Sequence, residues 1–146
     1  MGDIGPTAEM DEQMQVQPPA SFKYVRKVDP EMAAEAMARE EVVLHSVLDG
    51  LSGAEHLAVN YACVPPEKGS PGGRHIHEVE QVFYIIEGAM RVEVEGREFL
   101  AEAGNVVVFP KGVPHMNWND GPDMLRVLSF NSPLPDPARP IAIPVK

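Results

Sequence analysis

From residue 41 onward, apolar and polar side chains alternate with a period of two, the signature of half-buried strands. In AMRVEVEGREFL, Met90, Val92 and Val94 alternate with Arg91, Glu93 and Glu95, so one face is buried and the other wet, and Gly96 marks a turn. EVVLHSVL at 41–48 and EHLAVNYACV at 55–64 are β-branched and aromatic runs separated by Asp49-Gly50 and Gly53. PPEKGSPGG at 65–73 reads as a loop, and a turn at Asp120-Gly121-Pro122-Asp123 leads into MLRVLSF, the predicted last strand. Ahead of this region, SFKYVRKV at 21–28 alternates like an edge strand. Asp29-Pro30-Glu31 then supplies an N-cap, a first-turn proline and a first-turn acid for a short helix through about Arg39.

The two ends read differently. Residues 1–20 are polar, proline-containing and aperiodic, which predicts a mobile arm. The tail 131–146 carries prolines at 133, 135, 137, 140 and 144 and is expected to lie extended along a surface or edge. Between them, 21–130 is expected to form one domain: short strands at close spacing with glycine and proline turns predict an all-β, antiparallel jelly roll with a short N-terminal helix. A chain of 146 residues buries roughly two-thirds of its unfolded surface in one core, so no second domain is required.

Charge and cysteine count narrow the partners. A formal charge of -10 opposes binding to nucleic acid or anionic membranes. Cys63, the single cysteine, leaves no intramolecular disulfide and reads as a small buried hydrophobe. The N-terminus lacks the basic start and apolar core of a signal peptide, and no run reaches the ~20 apolar residues of a spanning helix, so a cytoplasmic location is expected.

The candidate chemistry lies in GGRHIHEVEQVFYIIEG at 72–88 and GNVVVFPKGVPHMNWN at 104–119. On an extended strand His75, His77, Gln81, Phe83 and Ile85 share a face, and His115 opens the strand expected to supply a fourth ligand. Imidazole nitrogens converging with an amide oxygen make a neutral shell for a borderline divalent metal. Met116 and Trp118 have the opposite parity to His115 and are expected to face outward under a subunit contact, while Asn119 is expected to hold a turn.

The pattern resembles the cupin superfamily. Gly73, His75, His77, Gln81 and Gly88 fall in the frame of that family's first motif, although the glycine stands closer to the histidines than usual; Gly104, Pro110, Gly112, His115 and Asn119 match the second at every spacing. One departure is chemical: Gln81 stands where the family places a glutamate, and Glu80 has the wrong parity to replace it unless the strand is bulged. The resemblance implies a double-stranded β-helix, a homodimer paired through its outer sheet, and one divalent ion per chain on His75, His77, Gln81 and His115, with Mn, Fe, Zn, Ni and Co all open.

An amide in place of a carboxylate leaves the metal its full charge, which makes it a stronger Lewis acid. The three-histidine, one-glutamine shell is similar to that of manganese-dependent cupin hydroxynitrile lyases, and small cupins acting as polyketide cyclases also lack the acid. These likenesses imply non-redox carbonyl or enolate chemistry on a small aromatic or polyketide-like substrate, by a cyclase, lyase or isomerase. A metal-dependent dioxygenase and a non-catalytic ligand-binding cupin are the alternatives. Phe83, Ile85, Met90 and Val92 are expected to line an apolar pocket. With Glu78 and Glu80 pointing away, a metal-bound hydroxide, His45 or His56 is left as general base, although both histidines lie outside the motifs.

Overall fold

The computed structural model describes residues 24–70 and 73–146. Its helix, α1 (Met32–Arg39), starts where Asp29 folds the chain in: the Asp29 carboxylate accepts from the Glu31 amide at 2.9 Å and its carbonyl from Met32 at 3.2 Å. Glu40, left-handed at φ 52°, ends it. Met32 and Ala36, one turn apart, bury against Tyr61, Cys63 and Met124.

Among the described residues ten strands follow: β1 (Val43–Leu48), β2 (Ala58–Val64), β3 (His75–Ile76), β4 (Glu80–Glu87), β5 (Ala89–Val94), β6 (Arg97–Glu102), β7 (Val106–Phe109), β8 (His115–Trp118), β9 (Leu125–Ser132) and β10 (Ile143–Pro144). They form two antiparallel five-stranded sheets, ordered β1-β2-β9-β4-β7 and β10-β3-β8-β5-β6. The sheets enclose a core of Ala62, Val64, Ile85, Met90, Val92, Ala101, Val107, Phe109, Leu125 and Val127, and α1 covers part of the first sheet's outer face. This is the double-stranded β-helix of the jelly-roll class.

The register of the first sheet sorts its inner face into rows. Ala58, Asn131, Gln81 and Phe109 lie across one row, Asn60, Ser129, Phe83 and Val107 across the next, and Ala62, Val127 and Ile85 across the third. The interior is therefore polar towards one end and apolar towards the other, and that gradient positions the site. Gly88, between β4 and β5, carries the chain from one sheet to the other at φ +82°. A Cβ there would lie 2.5 Å from the Met124 carbonyl oxygen, so the crossing requires glycine.

Several expectations need correction or placement. Within 21–28, residues 24–28 form no strand; residues 1–20 and 21–23 lie outside the described residues. Arg26 instead ties this segment down by donating to the carbonyls of Val47 and Ser52 at 3.2 and 2.6 Å, and Val28 packs beside α1. Trp118 does face away from the sheet interior and is half-buried, and Gly69 of the same chain pairs with its backbone so closely that a Cβ on the glycine would meet the Trp118 Cβ at 2.5 Å. Asn119 is buried and holds its turn, donating to Val64 and Asp123 carbonyls at 2.9 and 2.8 Å and accepting from the Gly121 amide at 3.0 Å. The tail returns along the second sheet, where Ile143 and Pro144 pair with Ile76 and His75 at its edge.

Candidate metal centre

Each histidine of the two motif stretches reaches the interior for a local reason. His75 on β3 pairs directly with His115 on β8; His77 follows β3 by one residue, and its parity with His75 returns it to the same side. All three are buried, and their nearest ring nitrogens lie within 4.8 Å of one another. The ring centroids are 4.7, 4.6 and 4.9 Å apart.

Backbone carbonyls fix how the rings point. Nδ1 of His75 donates to Gly73 at 2.8 Å, that of His77 to Ile141 at 2.7 Å, and that of His115 to Val113 at 3.0 Å. A proton held on Nδ1 leaves the lone pair on Nε2. The Nε2 atoms of His77 and His115 are buried without a hydrogen-bond partner. Such a group ordinarily costs ~1–3 kcal/mol, a penalty that a cation at their focus would remove.

Electrostatics favour the neutral, ligating form. Burial, aided by His75 and His77, pushes the His115 pKa down to about 4 against the opposing pull of the Val113 carbonyl. Burial lowers that of His77 as well. The Gln81 amide lies close enough to offset this a little without completing a bond to Nε2. Phe109 stacks on the His115 ring at 4.0 Å and 17°, and Phe83 meets Phe109 edge-on at 5.3 Å. Gln81, facing from β4 of the other sheet, is also buried, and its Nε2 donates to Asn131 Oδ1 at 2.9 Å. That bond leaves Oε1 as the free end of the amide.

Residues 60–131 match the family model of the cupin domain. The chain is a cupin. Similar solved structures include an RmlC-like cupin with a double-stranded β-helix fold from Methanocaldococcus jannaschii, at 20% identity over 75% of this cupin and 90% of that chain with a TM-score of 0.61. TT1209 from Thermus thermophilus is 23% identical over 76% of this cupin and 100% of that chain, TM-score 0.62. The polyketide cyclase RemF from Streptomyces resistomycificus is 24% identical over 64% of this cupin and 66% of that chain, TM-score 0.57. Among curated proteins none matches the sequence. At these identities the likenesses establish the fold, and this cupin's three buried histidines could bind a metal within it.

The remaining candidates divide by depth and face. Glu80 is exposed, and the β4–β9 ladder shifts register only further on, between Ile85 and Glu87, so no bulge turns it inward. Ile85, Met90 and Val92 have no exposed surface and belong to the packed core; of the four expected pocket residues only Phe83 is partly open. His45 and His56 do not reach the site. His45 pairs with Tyr61 on the outer face of the first sheet, beside α1, and His56 is 89% exposed next to Glu55. Sequence reasoning missed Asn131 and the Ile141 carbonyl. Neither has a motif signal, because strand pairing and the returning tail bring them there.

Proposed function

We propose that this cupin is a divalent-metal-dependent enzyme that polarises a carbonyl or enolate oxygen of a small substrate, with a cyclase, lyase or isomerase outcome. The observation that carries the reading is the pair of buried, unpartnered Nε2 atoms on His77 and His115, beside a His75 whose ring is pinned in the same tautomer. His75, His77 and His115 would hold the ion, with the Gln81 oxygen as fourth ligand; an ion there supplies Lewis-acid polarisation of a substrate oxygen.

The chain's own residues set the rest. Phe83 and Phe109 make an aromatic flank beside His115, and Asn60 and Ser129 share the Phe83 row. An aromatic flank beside amides and a hydroxyl suits a small, planar carbonyl compound that also bears hydroxyl groups. The four neutral ligands favour charge stabilisation over a change of oxidation state. RemF, a polyketide cyclase with this fold, is in line with such chemistry.

Metal analysis of protein purified without added metal tests the reading first. About one divalent ion per chain is expected, with most of it lost in His115→Ala. Full occupancy in a His75→Ala, His115→Ala double variant would overturn the site. The reaction class is tested by turnover with and without oxygen across carbonyl substrates. Activity should persist anaerobically with zinc or manganese; activity that needs iron(II) and air would assign a dioxygenase instead, and binding without turnover a non-catalytic cupin.

A further inference from the structure

An amide side chain has two ends of nearly the same shape and opposite chemistry. Its oxygen can ligate a cation, whereas its nitrogen carries two protons and a delocalised lone pair and repels one. Buried beside three imidazoles, Gln81 therefore needs something to set which end faces them. Asn131 stands directly across the sheet from it, Cα partnered in the β4–β9 ladder, fully buried, with Oδ1 accepting from Gln81 Nε2 at 2.9 Å. Asn131 is itself kept the right way round, since its Nδ2 faces Ser129 Oγ at 3.4 Å on the same strand. With Nδ2 turned to the serine hydroxyl, Oδ1 is the end presented to Gln81. The relay runs from Ser129 through Asn131 to Gln81, and all three residues are buried.

We propose that Asn131 is the positioning residue of this centre: by accepting the Gln81 Nε2 proton it turns the Gln81 oxygen towards the three histidines. The proposal rests on the metal-site reading above and adds a residue that would touch no metal or substrate. Partners one bond removed from a ligand are typically worth about 10- to 100-fold in metal affinity.

The test is cobalt(II) affinity by chelator competition, together with the visible spectrum of the cobalt-loaded protein. Asn131→Leu removes the acceptor and should weaken binding about 10-fold or more with a changed spectrum. Asn131→Asp keeps an oxygen for Gln81 and should restore both. In a Gln81→Ala background Asn131→Leu should have no further effect, which a merely structural role would not produce. Should the leucine variant fail to fold, Asn131→Ala carries the same expectation. Wild-type affinity and spectrum in Asn131→Leu, or an equal loss with and without Gln81, would overturn the positioning role and leave the histidine site standing. A wild-type protein that takes up no cobalt overturns both.

Discussion

Gln81 brings a neutral amide to the site, and its neutrality gives a divided expectation. Gln81→Glu should bind metal at least as tightly, because it adds a charge, yet turn over more slowly, because that charge weakens polarisation of the substrate. Chelator competition and kcat on one preparation check this; an equal or faster rate would mean the glutamine is only tolerated. His115 gives a second expectation, for the metal-free protein. Its folded pKa of about 4 lies below the ordinary 6.5, so between those values the unfolded chain binds the proton more readily. The neutral ring's contribution is full above about pH 6.5, is lost as pH falls through the window to 4, and levels off below; it is worth roughly 3 kcal/mol at most. Urea midpoints of metal-free protein at pH 7, 5.5 and 4 should fall in that order, and a curve as steep in His115→Gln would sink the assignment. Strand parity made His75 and His77 legible in the sequence, since a period of two needs no tertiary knowledge, but it joined Gln81 to them on one strand, whereas Gln81 lies on β4 of the other sheet and faces them across the interior. The Ile141 carbonyl and Asn131 were not legible, being 64 and 50 residues from the groups they hold.

At the scale of elements, the crossing from β4 to β5 is unforgiving. Gly88→Ala would place a Cβ 2.5 Å from the Met124 oxygen and 3.1 Å from Leu125 Cα, at a positive φ, and should cost about 3 kcal/mol or prevent folding. Gly96, in the β5–β6 turn, has a similar φ of +78° but nothing within 4 Å, so Gly96→Ala should cost only ~1 kcal/mol. Denaturant titration of the two variants side by side separates contact from backbone strain; equal losses would contradict that division. Alternation found the β5–β6 hairpin and the strands around it because each has one wet face. It failed at 24–28, where the pattern is present but the backbone forms no strand; the Arg26 side chain donates to the carbonyls of Val47, on β1, and Ser52. The depth of Ile85, Met90 and Val92 was equally hidden: parity gives the face of a strand, and only sheet register gives the distance from the open end.

For the whole molecule, Trp118 is bridged by Gly69 of its own chain and the tail pairs with β3 through Ile143 and Pro144. Among the described residues, one open apolar face is the outer side of the first sheet at its β7 edge, where Tyr84, Val106 and Val108 are 41%, 60% and 50% exposed. We expect a homodimer through that face: light scattering at micromolar concentration should give twice the chain mass, and Val108→Lys should halve it. A monomer mass for the unaltered protein would rule the dimer out. The bond from His77 to the Ile141 carbonyl also has a consequence for how firmly an ion would be kept. The four proposed ligands all lie at or before residue 115, whereas the group that aims one of them lies at 141. Without that last segment His77 would be free to swing, and with it the ring is held. A chain stopped before residue 140 should therefore release cobalt to a chelator markedly faster than the 146-residue chain, and equal release rates would show that the ring needs no late anchor.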